Sequence, residues 1–263
     1  LFDLGGIYPD VAQGDDGALI SCAGCVGGYA EYMSISRNQI FPIDSDLDSV
    51  TLSMLGCGIT AGVGSVCNVA KVKPGESVVI VGAGHLGIWA LQAARLAGAS
   101  SVAVVEWHEG RSALAKRHGA DVVIDPGPSY ERADEAVASV RAFTSGRGAD
   151  VAIEAAGPTA AQRLALMSSR RAGRVVYTGF EIGGAQLTVP QVETALQSRQ
   201  ILSSQNGQVR MRSDLQRYTE LIERGLLSTE GIVTRTYDLA ELDLARDRSG
   251  SLDDVCGIIA FEH

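Results

Sequence analysis

This chain lacks the features that mark several functional classes. No apolar run reaches the roughly 20 residues of a membrane-spanning helix, so no membrane partner is expected. Basic charge is not in excess: 22 Lys and Arg stand against 31 Asp and Glu, a formal net charge of −9. The electrostatic footprint of a nucleic-acid or anionic-surface binder is missing, and neither partner is expected. The five cysteines, Cys22, Cys25, Cys57, Cys67 and Cys256, are odd in number and spread over 263 residues. A disulfide framework is not expected, which favours a reducing, cytoplasmic setting. No basic segment leads into an apolar one at the start, as a secretory signal requires, and there is neither an internal repeat nor a low-complexity stretch. The first residue is Leu1 rather than Met and the opening, LFDLGGIYPDVAQGDDG, is loop-like, so the native polypeptide is expected to extend upstream.

The chain does have a regular alternation. Apolar β-type runs stand at 77–82 (SVVIVG), 101–106 (SVAVVE), 121–125 (DVVID), 150–155 (DVAIEA), 174–179 (RVVYTG) and 200–204 (QILSS). Between them apolar residues recur at three- and four-residue spacing. In 86–97, Leu86, Trp89, Ala90, Ala93 and Ala97 share one helical face, and 132–144 repeats the pattern. Continuous Val and Ile runs suit strands buried on both sides. Strands alternating with such helices predict an α/β fold, a doubly wound parallel six-stranded sheet of the Rossmann type. The flanks differ. Residues 1–50 are rich in Gly and Asp, with short alternating runs such as GGYAEYMSI (27–35) that read as part of a β-rich unit. SDLQRYTELIERG (213–225) predicts an amphipathic helix capped by Ser213 and ended by Gly225, while GIVTRTY and CGIIAF predict short strands returning to the β-rich unit.

Gly82, Gly84 and Gly87 form G-x-G-x-x-G between the first strand and the helix opened by Leu86. Glu106 ends the next strand, 19 positions after Gly87. A dinucleotide needs this arrangement: the first glycine permits the turn, the second leaves room for diphosphate, and the third lets helix and strand pack closely. Free amides at the helix start then meet the phosphates. The Glu106 carboxylate suits the adenosine ribose hydroxyls and would repel a 2′-phosphate. The neighbouring Trp107 supplies no cation to offset this, so NAD is expected over NADP. Arg111 is either a further contact to the ribose or a 2′-phosphate, or a solvated helix charge. His85, inside the turn, either adds a donor near the diphosphate or faces solvent. Trp89 reads as core.

Several stretches together resemble the medium-chain, zinc-type alcohol dehydrogenase family. They are GGYAEYM (27–33), LGCGITAGVGSVCNVAKVKPGESVVIVGAGHLG (55–87), AKRHGADVVID (115–125), GADVAIEAAG (148–157) and GRVVYTGF (173–180). The resemblance covers nearly the whole chain and is weakest at its two ends. It implies a partial β-rich, GroES-like catalytic domain in residues 1–58, a dinucleotide-binding domain in 59–203, and a return to the catalytic domain in 204–263. It places Cys57 as a zinc-ligating cysteine, with zinc polarising the oxygen of an alcohol or carbonyl substrate. It puts Thr60 and Ala61 beside the nicotinamide, Leu86 under it, Ala155 to Gly157 (with Ala156) by the bridge on its adenosine side, and Thr178, Gly179 and Phe180 against the carboxamide. It further implies a homodimer or homotetramer, with RVVYTGF as a possible interface strand.

The chain departs from the family in three respects. The other catalytic zinc ligands, the proton relay and the four-cysteine lobe of the family have no counterpart, so the zinc ligand set is incomplete. His108 and His118 fall in the nucleotide-binding part and His263 is terminal. Near the end, Cys256 and Gly257 stand where the family often has an Arg or Lys for the diphosphate, and Asp253 and Asp254 precede them. The implied activity is an NAD-dependent alcohol oxidoreductase with zinc assistance in the complete protein. The alternatives are a zinc-independent quinone or enone reductase of the same superfamily and a non-catalytic nucleotide-binding fragment. Among other candidates, the C-x-x-C of SCAGC (21–25) reads as a surface pair rather than a metal site, and Cys67 as a small core residue. EWHEG (106–110) reads as the ribose carboxylate followed by a helix start, and Arg210 and Arg212 as a solvated face.

Overall fold

The computed structural model describes residues 10–13, 16–21, 28–181 and 185–261. Two short antiparallel strands come first, β1 (Asp10–Gln13) and β2 (Leu19–Ser21). Residues 28–35, the described part of the 27–35 run expected to belong to a β-rich unit, instead run irregularly, and Tyr32 is 90% exposed. A strand is held by the amides and carbonyls of a neighbour, and none of the described strands pairs with this segment.

Helix α1 (Ser49–Ser53) begins at Asp48, whose carboxylate accepts the Thr51 amide at 2.9 Å. After one 3₁₀ turn comes α2 (Gly58–Gly64), which continues as a π-helical turn over Ser65–Ala70. By length and composition no single helix among the described residues is able to cross a membrane. The bent pair Ser49–Gly56 and Gly58–Ala70 passes that test jointly, but it contributes Leu55, Ile59, Val63 and Val66 to the core.

The predicted alternation then unfolds in order. It runs β3 (Ser77–Val81), α3 (His85–Leu96), β4 (Ser101–Val105), α4 (Glu109–Arg117), β5 (Val122–Ile124), α5 (Ala133–Phe143), β6 (Ala149–Glu154), α6 (Thr159–Ser168), β7 (Ser169–Tyr177), α7 (Gln191–Ala195) and β8 (Gln200–Ser203). All six strands from β3 on are parallel and lie in the order β5-β4-β3-β6-β7-β8. The strand order reverses between β3 and β6, and ligands of open α/β sheets bind at the carboxyl ends of the strands at such a reversal. The edges are β5 and β8. RVVYTGF, read as a possible interface strand, is interior, because β7 is paired on both sides.

Alternation along β3 builds two cores. Val78 and Ile80 face one core with Ile59, Ile88 and Trp89. Val79 and Val81 face the other with Val137, Val140 and Leu164. Trp89 is fully buried, as its helical position suggested.

Beyond the sheet, α8 (Met211–Glu223) starts two residues before the Ser213 cap expected from the sequence. The Asp214 carboxylate takes the Arg210 amide at 2.9 Å and fixes the earlier start, while Ser213 Oγ donates back to the Arg210 carbonyl. The last strands, β9 (Val233–Tyr237) and β10 (Cys256–Ile259), pair in parallel around α9 (Leu242–Gly250).

Candidate active site

The turn from β3 to α3 is built by steric necessity at two of its glycines. Gly82 has φ +94°, and a Cβ there would stand 2.9 Å from the Ala156 Cβ. At Gly87 a Cβ would lie 1.9 Å from the Gly82 carbonyl oxygen, so helix and turn touch with no room for a side chain. Gly84 differs: the nearest atom to its missing Cβ is Arg111 Nη1, at 3.5 Å. The space in front of Gly84 is bounded by the Arg111 guanidinium at van der Waals distance, which makes it a seat suited to an anion. No side chain caps α3, whose N-cap is Gly84. The helix start thus offers amides to an anion in that seat.

Glu106 follows β4 directly and is 5% exposed. Its Oε2 accepts the Ala83 amide at 2.9 Å, and its Oε1 accepts the amides of Trp107 (2.9 Å) and His108 (2.8 Å). The carboxylate is part of the turn itself. Each carboxylate oxygen takes two hydrogen bonds, so Oε2 keeps one acceptor position for a ligand hydroxyl. Arg111 is half-buried on α4 and not a solvated helix charge. Its Nη2 donates to the Asp254 carbonyl at 2.9 Å, and its Nε is buried without a partner. Burial lowers its pKa, opposed by the charge of Glu106 and by Tyr130. The Asp254 carboxylate turns away from the seat, to Thr234 Oγ1 (3.0 Å) and the Tyr237 hydroxyl.

Beyond the reversal, a cleft of about 640 Å³ opens over the ends of β7 and β8, lined by Cys57, Ala61, Leu86, Thr178, Gly179 and Asn206 among others. The structure thus gathers most of the predicted nicotinamide-side residues into one hollow. Cys57 is exposed at its lip, and desolvation by the surrounding walls raises its thiol pKa. Thr60 is buried beneath the cleft. Its hydroxyl lies 2.9 Å from the Cys57 carbonyl oxygen and 2.8 Å from Asn206 Oδ1, and donates to one at a time.

His85 is half-buried rather than solvent-facing. Its ring lies on Gly58, where a Cβ would come within 2.1 Å of Cε1. Burial drives its pKa down to about 4, so the imidazole is neutral near pH 7, and its Nε2 is buried with no partner. It joins the glycine turn to the Cys57 segment.

Among the described residues, no three His, Cys, Asp or Glu side chains come together as a metal site. The described residues around Cys57 therefore do not fit the zinc implied by the resemblance. His108 and His118 cap the two ends of α4. Cys22, Cys25 and His263 lie outside the described residues. Cys67, expected in the core, is exposed. The π turn over Ser65–Ala70 carries extra chain per turn and takes Cys67 out of the register that α-helical spacing assigns. Arg210 and Arg212 are exposed, as read from the sequence.

Three residues at the site carried no signal in the sequence. Tyr130, buried beside Glu106, Glu154 and Arg111, ends a 3₁₀ turn (Pro128–Tyr130), and burial first, then the two carboxylates, raises its pKa. Glu154 lies inside a run that reads only as a strand, and Asn206 is 146 positions from its partner Thr60.

With this geometry in hand, known proteins are informative. A family profile described as zinc-binding dehydrogenase matches residues 86–224, more than half of the chain. The chain belongs to this family. Among similar sequences are the S-(hydroxymethyl)glutathione dehydrogenases of Synechocystis sp. and Escherichia coli. The first is 29% identical over 231 residues, covering 88% of this chain and 61% of that protein; the second is 30% identical over 220 residues, covering 83% and 58%. The chain thus spans about three fifths of the length of the curated relatives it matches. Benzyl alcohol dehydrogenase from Acinetobacter calcoaceticus superposes with a TM-score of 0.78 at 27% identity, covering 84% of this chain and 59% of that one. An alcohol dehydrogenase zinc-binding domain protein from Burkholderia ambifaria gives the same score and identity over 85% and 58%. The Rossmann-type sheet and the medium-chain zinc-type resemblance read from the sequence both hold.

Proposed function

We propose that this chain forms the cofactor-binding part and much of the cleft of an NAD-dependent oxidoreductase that moves a hydride between an alcohol and its carbonyl. The observation that carries this reading is the pairing of buried Glu106 with the Ala83 amide beside the open seat at Gly84, at the reversal of strand order. The α3 amides and Arg111 hold the diphosphate, and Glu106 Oε2 takes a ribose hydroxyl. Leu86, Thr178 and Gly179, which line the cleft, would hold the nicotinamide half. NAD, when bound, supplies the hydride acceptor for an alcohol and its reduced form the donor for a carbonyl. Ala61, Leu86 and Phe180 make the cleft walls largely apolar, which suits a small alcohol whose carbon skeleton is uncharged. The relatives named for S-(hydroxymethyl)glutathione and benzyl alcohol support an alcohol as substrate. The same reading expects a homodimer joined at the open edge of β8.

Calorimetry on the full chain tests the proposal. Saturable NADH uptake is expected, with NADPH at least about tenfold weaker because Glu106 repels a 2′-phosphate. Glu106→Ala is expected to weaken NADH and narrow that preference. Absence of uptake by well-folded protein, or a preference for NADPH, overturns the reading.

A further inference from the structure

A second carboxylate mirrors Glu106 across β3. Glu154 ends β6, is 0% exposed, and is level with Val81 and Tyr177 in the sheet register. Its Oε1 accepts two amides of the loop that follows, Ala156 at 2.7 Å and Gly157 at 2.6 Å. Its main-chain carbonyl accepts the amides of Thr178 (3.1 Å) and Gly179 (3.2 Å), in the loop after β7. Its Oε2 is buried without a partner.

The two loops meet through glycines that leave no space between them. A Cβ on Gly157, at φ +102°, would lie 2.9 Å from the Phe180 carbonyl oxygen. One on Gly179 would lie 2.5 Å from the Gly157 nitrogen and 2.8 Å from Glu154 Oε2. The first loop also touches the diphosphate turn, through Ala156 against Gly82. The second forms a wall of the cleft through Thr178, Gly179 and Phe180. One side chain therefore sits at the junction of turn, loop and wall.

We propose that Glu154 is a positioning residue: its Oε1 fixes Ala156 and Gly157 of the loop after β6 while its Oε2 packs against Gly179 of the loop after β7, so that the side chain sets the distance between the diphosphate turn and the cleft wall that receives the nicotinamide. The inference rests on the dinucleotide reading above. Glu154 meets no ligand; it acts through Gly157 and Gly179. A carboxylate with two amides on one oxygen fixes both loop residues at once, which a single backbone bond does not do. Its effect falls on the nicotinamide half of a dinucleotide and spares the adenosine half, which Glu106 and Arg111 hold from the other side of β3.

ADP-ribose separates the halves, because it carries the adenosine, diphosphate and second ribose without nicotinamide. Binding of NADH and of ADP-ribose to the full chain is measured for the native protein, Glu154→Ala and Glu154→Gln, with melting temperatures alongside. Glu154→Ala is expected to hold ADP-ribose within about twofold of native and to lose about tenfold in NADH affinity. Glu154→Gln keeps an oxygen for the two amides and is expected to restore NADH to within about threefold. If Glu154→Ala does not fold, Gly179→Ala carries the same test, since its methyl group drives the same loops apart. An unchanged ratio of NADH to ADP-ribose affinity, or no rescue by Gln in a folded protein, overturns the inference. A native protein that binds neither ligand overturns the dinucleotide reading itself.

Discussion

Glu106 and Glu154 flank the glycine turn at the ends of the two strands beside β3; Glu106 uses both carboxylate oxygens on backbone amides, and Glu154 uses one, Oε1. Glu106 was legible in the sequence because its distance from the glycines is a local count. Glu154 was not, because an acidic residue inside an apolar run says nothing about which amides turn back to meet it. Burial raises the Glu154 pKa above its usual 4.5, and the amides of Gly157 and Ala156 on Oε1 reverse only part of that. The titratable groups that feel its charge are Tyr130 and Tyr177, both raised by it as well as by burial. The sign follows from linkage. A carboxyl with its folded pKa above its unfolded value stabilises the fold while protonated, and that contribution fades as pH rises through the folded pKa. Glu154→Gln, which stays neutral, is therefore expected to gain melting temperature relative to native as pH rises above the ordinary carboxyl range. A difference that stays flat or shrinks with rising pH contradicts the raised value.

At the scale of elements, α2 approaches its neighbours more closely than side chains permit. Gly58 lies under the His85 ring, Gly62 against Trp89 Cβ (2.5 Å) and the Leu86 carbonyl (2.6 Å), and Gly64 against the Gly207 carbonyl (2.4 Å). These distances from absent methyl groups explain why the helix that follows Cys57 contains so many residues of low helix propensity. They bring the cleft lip onto the diphosphate turn. Gly62→Val is expected to destabilise the protein by about 2–3 kcal/mol in denaturant titration, through overpacking against α3. An unchanged midpoint would show that α2 and α3 have slack. The six parallel strands were legible because buried strands write continuous Val and Ile runs. The strand expected within 27–35 failed because its pattern is also that of a loop, and only a paired neighbour makes such a run a strand.

For the whole molecule, the sheet ends in an edge that no described strand covers. β8 leaves one side unpaired, and Phe180, Val192, Leu196 and Ile201 expose apolar surface nearby, between 39% and 68%. An open edge with apolar neighbours is a template for another strand. Sedimentation is expected to find a dimer, and Ile201→Lys to shift it towards monomer by placing a charge at that edge. A native monomer, or a dimer indifferent to the substitution, removes β8 as the interface. The zinc expectation belongs to this scale too. A catalytic zinc requires about three protein ligands, and the described residues bring Cys57 to the cleft without a second and third.

The sequence by itself determined what depends on near neighbours: the alternation of strand and helix, the glycine turn, Glu106 at the end of the second sheet strand, and the family resemblance those stretches carry. These follow from periods and spacings of a few residues, set by backbone geometry. Tertiary structure alone decided that His85 rests on Gly58, that Arg111 faces Gly84 while bonding a carbonyl 143 positions away, that Cys67 is exposed, and that Glu154 joins two loops. Each of these is a contact between segments distant in the chain. Close packing selects such contacts, and no local period encodes which surfaces will meet.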